Sequence, residues 1–463
     1  MTEQLKLKLN DSKASRWGAL VIVAFTMMAA YYVNDVVAPL KTMLETDLAW
    51  SSTDFGFFTG GYSFLNVFFL MLIWGGLILD RFGIRFTGKL ATILMVGGTA
   101  LEYYAMTGLA GADATLFGIN EIFGYKTGVF VAFAGYSIFG VGAEVAGITV
   151  SKIIAKWFKG KELATAMGVQ VALARIGSQA GYAVAIPLAR AFGISTPVLL
   201  GLVLLLGGMI AFFIFAVMDK KLDKQMEAAA IAAGTEDEEE KFSFKDVKNI
   251  LVNPGFWLIA LLCVLFYSCV FPFQKFASEL MIIKYGINEN VAGTFAGLPA
   301  LGALILTPVF GGFIDKRGKS ASIMLLGSAM LICVHFIYAI PDINYWLVAI
   351  VLMIILGIAF SLVPSAMWPA VAKIFPVSQL GTAYALIFFI QNIGLWGIPT
   401  LIGWVLDAYC ISGKKPDGTN MYDYTVPMCI FTGIACLSLI VALLLKKADK
   451  KYGYKLEEPN IQK

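Results

Sequence analysis

The sequence predicts an all-α integral membrane protein of twelve transmembrane helices, arranged as two six-helix halves related by pseudo-symmetry. Three observations predict it. Of the 463 residues 59% are hydrophobic and 14% charged, and the apolar residues arrive in runs of about 20, the length that crosses a hydrocarbon core about 30 Å thick. Basic residues gather on alternate loops, and a short polar signature occurs once in each half. Backbone groups in lipid must be satisfied within their own segment, and runs this long and uniformly apolar are helices rather than barrel strands.

In order, the spans read as residues 17–40, 54–79, 88–109, 127–152, 162–189 and 196–218, then 254–284, 290–313, 320–340, 344–372, 379–407 and 424–446. Residues 219–253 break the pattern with a basic run, an Ala-rich stretch and the acidic cluster 236–240. They read as a solvated linker with one amphipathic helix. The expected division is therefore 1–218, 219–253 and 254–463. Residues 1–16 are polar and lead straight into a full-length span, so no cleaved signal peptide is expected. With the N-terminus cytoplasmic, 26 of the 35 Lys and Arg fall on the cytoplasmic side, six outside and three within spans. That asymmetry predicts both termini inside. It also accounts for the net charge of +4 without any nucleic acid.

Glu144 in the fourth span and Arg175 in the fifth interrupt long apolar runs. A charge at the bilayer centre costs about 2.5–3.5 kcal/mol on insertion scales, so such residues face a bundle interior or an aqueous cavity. Glu144 lies 12 residues before Lys156 and Arg175 lies 14 residues after Lys161. At 1.5 Å per residue, both sit about 18–21 Å from the same loop. Opposed charges at one depth suit a zwitterion, with Arg offering a bidentate fork to a carboxylate. The plainer alternative is an internal Glu–Arg salt bridge that closes the bundle. The two arrangements are compatible at different stages of a cycle.

The remaining chemistry is sparse. Six scattered Cys show no metal-ligand spacing, and the single His, His335, sits in an apolar run and reads as packing. No catalytic dyad or phosphate loop is present, so neither an enzyme nor a cofactor is expected. Asp35, near the outer end of the first span, reads equally as a cap, a gate or a substrate contact. Glu102, Lys275 and Glu279 are intramembrane charges without an assigned role, open to side-chain selection or proton coupling. Pro272, Pro364, Pro369 and Pro399 are expected to permit bends.

The string Gly76-x-x-x-Asp80-Arg81-x-Gly83-x-Arg85 returns as Gly311-x-x-x-Asp315-Lys316-x-Gly318 at an offset of 235. A second echo pairs Ala155-Lys156-Trp157-Phe158 with Ala372-Lys373-Ile374-Phe375 at an offset of 217. Two such repeats around a midplane cavity describe an alternating-access transporter. The repeated string resembles the loop signature of the major facilitator superfamily. In it Gly76 is expected to allow close helix approach, Asp80 to accept hydrogen bonds from a neighbouring helix, and Arg81 and Arg85 to hold the loop near the headgroups.

Longer strings carry a closer resemblance: residues 157–163, Ala174-Arg175-Ile176-Gly177-Ser178, Val270-Phe271-Pro272-Phe273, Trp368-Pro369, and residues 379–384 with Ile390-Gln391-Asn392. They resemble the lysosomal dipeptide uniporter family, major facilitator superfamily domain-containing protein 1. The resemblance implies that Glu144 faces a peptide's amino group and Arg175 its carboxylate. It further implies that Trp368, Tyr62 and Asn66 line the cavity, with Gln391 and Asn392 as further candidates. No acidic dileucine signal stands near Met1 and the loops are short, so a bacterial cytoplasmic membrane is expected, or a lysosomal one in a eukaryote. A monomer without an accessory subunit is expected. Dipeptide uniport leads; proton-coupled symport and an organic-anion or amino-acid carrier stay open.

Overall fold

The computed structural model describes residues 8–111, 114–158, 161–233 and 244–459. The first half comprises α1 (Lys13–Val36), α2 (Lys41–Asp47), α3 (Ser52–Phe68), α4 (Met71–Thr107), α5 (Thr127–Trp157), α6 (Leu163–Phe192) and α7 (Thr196–Ala233). After α8 (Phe244–Val252), the second half follows with α9 (Pro254–Tyr285), α10 (Glu289–Ala296), α11 (Leu298–Arg317), α12 (Ser320–Ala339), α13 (Trp346–Ile374), α14 (Val377–Tyr409) and α15 (Thr425–Tyr452). The strands form two antiparallel hairpins, β1 (Glu121–Ile122) with β2 (Tyr125–Lys126), and β3 (Ile411–Lys414) with β4 (Asn420–Tyr422), and short 3-10 turns stand at Leu9–Asp11 and Ala38–Leu40. The described residues nearest the two chain ends, such as Leu9 and Glu458, lie at one end of the bundle, the terminal end; the hairpins lie at the other, the far end.

Among the described residues, nine helices are each long and apolar enough to cross a membrane, or ten with the bent α3–α4 pair. Twelve passes result when α4 is divided at Gly83 (φ 74), where its backbone leaves the helical region, and α6 is counted. Polar and charged residues such as Gln170, Arg175, Gln179 and Arg190 reduce the apolar character of α6. Local sequence sets several boundaries. Ser51 and Asp54 form a reciprocal capping box at the start of α3. Asn253 caps α9, Pro254 occupies its first turn, and Gly286 ends it in the left-handed region at φ 61.

Three features differ from the expected spans. The second span is not one rod: α3 ends at Phe68 and α4 begins at Met71, bent by 58°, with Leu70 left-handed at φ 54. The eighth span is also split, between α10 and α11 at Gly297. The helix expected to end at 218 runs on to Ala233, because Asp219 is a buried node rather than a loop residue. Its Oδ1 accepts from Lys156 Nζ at 2.7 Å and Trp157 Nε1 at 3.0 Å. The acidic cluster 236–240 lies outside the described residues. Prolines 272, 364, 369 and 399 each sit inside a continuous helix.

The halves meet most closely at the far end. A Cβ on Gly56 of α3 would collide with the Pro399 carbonyl of α14, and one on Gly403 would collide with the Ser52 carbonyl. Only glycine lets these backbones approach so closely. In the part of α4 before Gly83 the close approach to α5 falls at Gly75, where a Cβ would strike Val145, and beyond Gly83 it falls at Gly98, where a Cβ would strike the Phe139 backbone. Gly76, expected to serve that purpose, faces open space, because one residue rotates the direction by about 100° on a 3.6-residue helix.

Candidate functional site

Glu144 stands half-buried on α5, and its Oε1 accepts a hydrogen bond from the Tyr62 hydroxyl of α3 at 3.0 Å. The local sequence explains the contact. Gly140, one turn earlier on α5, packs directly against the Tyr62 backbone, so the phenol is delivered to the next turn. The Tyr62 ring leans on Tyr136 and Phe139 at 5.7 and 6.2 Å. Asn66 follows one turn along α3, 1% exposed, with neither amide atom hydrogen-bonded among the described residues.

Arg175 on α6 is held by aromatic faces rather than acids. Its guanidinium carbon lies 4.9 Å from the Phe360 ring centre on α13 and 5.6 Å from that of Tyr31 on α1, the geometry of a cation–π contact. Gly177, two residues on, presses against the Met28 carbonyl of α1 and fixes this approach. No ion pair joins Arg175 to Glu144, and Tyr31 lies within electrostatic reach of both. The guanidinium thus spans the interface between halves with its hydrogen-bonding fork free of any carboxylate among the described residues.

The other expected residues divide. Trp368 is half-buried on α13, stacked on Phe388 at 4.8 Å, and its carbonyl accepts from the Tyr384 hydroxyl at 3.0 Å. Gln391 accepts from Cys263 Sγ at 3.4 Å, a contact between α14 and α9 inside the second half. Asn392 donates to the Phe388 carbonyl at 2.9 Å, leaving its Oδ1 unpartnered. His335 is fully buried with Nε2 3.0 Å from the Cys269 carbonyl.

At the terminal end, Asp80 pairs with Lys152 of α5 at 3.0 Å. Arg85 reaches Asp223 at 2.5 Å and Asp219 at 3.5 Å, and Lys156 binds the same two acids. Arg81 is exposed over the Phe82 ring. Asp315 is half-buried and Lys316 exposed in the last turn of α11, and Gly83 supplies the positive φ between the second and third passes. Before α1, Lys161 holds the Asp11 carboxyl below its ordinary range, and Arg16 does the same for Glu162.

Sequence reasoning missed the partners at the far end. Lys275 donates to the Asn34 carbonyl at 2.6 Å and Asp35 Oδ1 at 3.2 Å, with the Tyr136 hydroxyl at 3.4 Å. Lys41, 1% exposed, lies 2.5 Å from both Glu45 and Glu279, and Tyr424 donates to Glu279. Asp407 of α14 accepts from the first amides of α3, Ser52 N at 3.3 Å and Thr53 N at 2.5 Å. The one local signal was the i, i+4 spacing of Lys41 and Glu45; Lys275 and Glu279, also four apart, pair with Asp35 and Lys41 instead of with each other.

Two halves built of helices long and apolar enough to cross a membrane, with opposed charges that do not pair with each other, describe a membrane transporter. The chain belongs to the Major Facilitator Superfamily, whose family model matches residues 20–399 and 276–458. The human lysosomal dipeptide transporter MFSD1 is 29% identical over 454 residues, covering 95% of this chain and 88% of that protein. The zebrafish (Danio rerio) protein of the same name is 26% identical over 93% of this chain and 86% of its own. Among solved structures, the nucleoside transporter NupG aligns with a TM-score of 0.68 at 12% identity, covering 92% of this chain and 98% of its own. The inward-open xylose transporter XylE from E. coli aligns at 0.64 and 15% identity, covering 93% and 96%. At such identities the structures establish the fold alone.

Proposed function

We propose that this transporter carries dipeptides by alternating access as a uniporter, taking the peptide's ammonium at Glu144 and its carboxylate at Arg175. The observation that carries the reading is the Arg175 fork, poised on Tyr31 and Phe360 across the two halves and left without an acid. A half-buried guanidinium with no acid beside it suits a planar anion, and a neighbouring Glu144 held by a phenol suits the cation at the ligand's other end. Similarity to the MFSD1 dipeptide transporters supports the same substrate class. Tyr62, Asn66 and Trp368 complete the lining, while Gln391 and Asn392 support α14 behind it. With the basic side of the bundle cytoplasmic, the terminal end faces inward in a cytoplasmic membrane and the sealed far end faces out. The two six-helix halves then rock as units, and one chain suffices.

The test uses detergent-purified protein and ligand-induced thermal stabilisation. Free dipeptides should stabilise the wild type, and N-acetylated or amidated ones should do so poorly. Glu144→Gln removes the ammonium's partner and Arg175→Lys the bidentate fork. Losing a buried charged partner costs about 3–5 kcal/mol, enough to erase a micromolar to millimolar affinity. Normal dipeptide binding by both variants would place the pocket elsewhere.

One observation favours a second reading, proton-coupled symport. Glu102 of α4 is fully buried and neither of its oxygens has a protein partner among the described residues. In proteoliposomes carrying only a pH gradient, uniport gives no net accumulation of dipeptide. Accumulation abolished by a protonophore would replace uniport with symport.

A further inference from the structure

Glu144 and Arg175 both belong to the first half, on α5 and α6. A zwitterion held by them is fixed only at its main-chain ends, which every dipeptide shares. Side chains must be read by what surrounds those ends, and the surroundings differ. Beside Glu144 stand the Tyr62 hydroxyl and, one turn along α3, the unpartnered amide of Asn66. Beside Arg175 stands an aromatic layer from the second half. Phe360 lies under the guanidinium, Phe271 of α9 packs edge-on to it at 5.3 Å, and Tyr267 packs edge-on at 6.2 Å. Tyr267 and Phe271 stack on each other at 5.5 Å with their planes 8° apart.

Resting on the dipeptide reading, we propose that Phe271, Tyr267 and Phe360 form the subsite for the side chain of the peptide's carboxyl-terminal residue, making the carrier selective for dipeptides that end in a large apolar or aromatic residue. Covalent geometry forces the assignment. In an amino acid the carboxylate carbon and Cβ share one Cα, so they lie about 2.5 Å apart. A carboxylate seated on the Arg175 fork therefore starts its side chain within reach of the rings that support that fork. Phe360 and Tyr267 are buried and form the backing, whereas Phe271 is half-buried and leaves ring surface to be covered. Offset or edge contacts with a ligand ring add to the apolar area removed from water. The amino-terminal side chain emerges by Tyr62 and Asn66; the Tyr136 and Phe139 rings behind Tyr62 are 2% and 0% exposed, so what that side offers is the Tyr62 ring with its hydroxyl and the Asn66 amide rather than a bare apolar wall. The first half thus reads the ends of the peptide and the second half reads its sequence.

The experiment compares Ala-Phe, Phe-Ala and Ala-Ala on the purified full chain by titration calorimetry. The first two have the same composition and the same two charges and differ only in order. Ala-Phe is expected to bind about tenfold or more tightly than Phe-Ala. In Phe271→Leu and Phe271→Ala that ratio should fall towards one. Equal affinities for the two orders in the wild type, or a preference for Phe-Ala, overturns the subsite. So does a ratio unmoved by both variants. If none of the three peptides binds, the dipeptide reading itself fails and takes the subsite with it, a result distinct from order-blind binding. The wild-type comparison needs no variant to fold.

Discussion

At the far end Lys41 is 1% exposed and bridges Glu45 of its own half to Glu279 of the other, while Lys415 from the β3–β4 loop stands 3.7 Å from both acids. At the terminal end the Asp80 and Lys152 side chains are 68% and 40% exposed, and their bond stays within the first half. The same kind of interaction therefore does two different jobs. Buried and crossing the interface, two cations and two carboxylates in balance resist separation, because parting them strands unpaired charges. Exposed and internal to a half, an ion pair contributes little to stability but keeps that half rigid as it moves. Which end is sealed follows from where the charged contacts cross.

The strongest way to break this contrast is Lys41→Met, which leaves Glu45 and Glu279 facing each other with Lys415 as their one nearby cation among the described residues. Removing one partner of a buried pair typically costs about 3–5 kcal/mol, so the far end should open. Cys410 reports it. The thiol lies just beyond α14, 3% exposed, and burial pushes its pKa up to about 11. Thiolate is the reactive species, so maleimide labelling at pH 8 should be slow in the wild type and accelerate in the variant as exposure returns the pKa towards its usual value. An unchanged rate would mean that the buried cluster is not what holds the seal.

A smaller effect is expected at the other end. Asp80→Asn should slow transport while leaving dipeptide affinity largely unchanged, since Asp80 pairs at the terminal end with Lys152 rather than with Glu144 or Arg175 and loss of an exposed pair costs the fold only about 0–1 kcal/mol. Equal loss of binding and transport in folded protein would remove Asp80 from the gate. Smallest of all is the pH response of the segment before α1. Asp11 and Glu162 have ordinary values of 3.8 and 4.5, and Lys161 and Arg16 hold both lower. A depressed folded value means that the tether is fully present above the ordinary carboxylate range and is lost as pH falls through the depressed values. Hydrogen exchange at residues 9–16 should therefore be flat from pH 7 to 5, after correction for intrinsic rates, and show lost protection only below about pH 4.

Much of the bundle was legible because lipid imposes length and uniformity on a span, and Glu144 and Arg175 stood out as charges inside apolar runs. The bend at Leu70 was not, since Val67-Phe68-Phe69-Leu70-Met71 contains neither Gly nor Pro to announce it. The break at Gly297 did have a signal in Gly297-Leu298-Pro299, hidden inside a run long enough to be one helix. Asp219 looked like the start of a linker because hydropathy cannot distinguish a solvated acid from one buried against Lys156 and Trp157. Lys275 and Glu279 had no visible role because their partners Asp35 and Lys41 lie 240 and 238 residues away, a separation that no local pattern encodes.

The geometry of α3 has a mechanical side. One end is clamped by Asp407 of the opposite half at Ser52 and Thr53, and the other terminates at left-handed Leu70. A rod clamped at one end and jointed at the other rotates about the joint when the clamp lets go. Tyr62 stands eight residues from Leu70 and Ser52 eighteen, about 12 and 27 Å along a helix. The helix is then a lever whose long arm ends at the seal and whose short arm is held by Glu144. A displacement of Tyr62 is magnified about twofold by the time it reaches the far end.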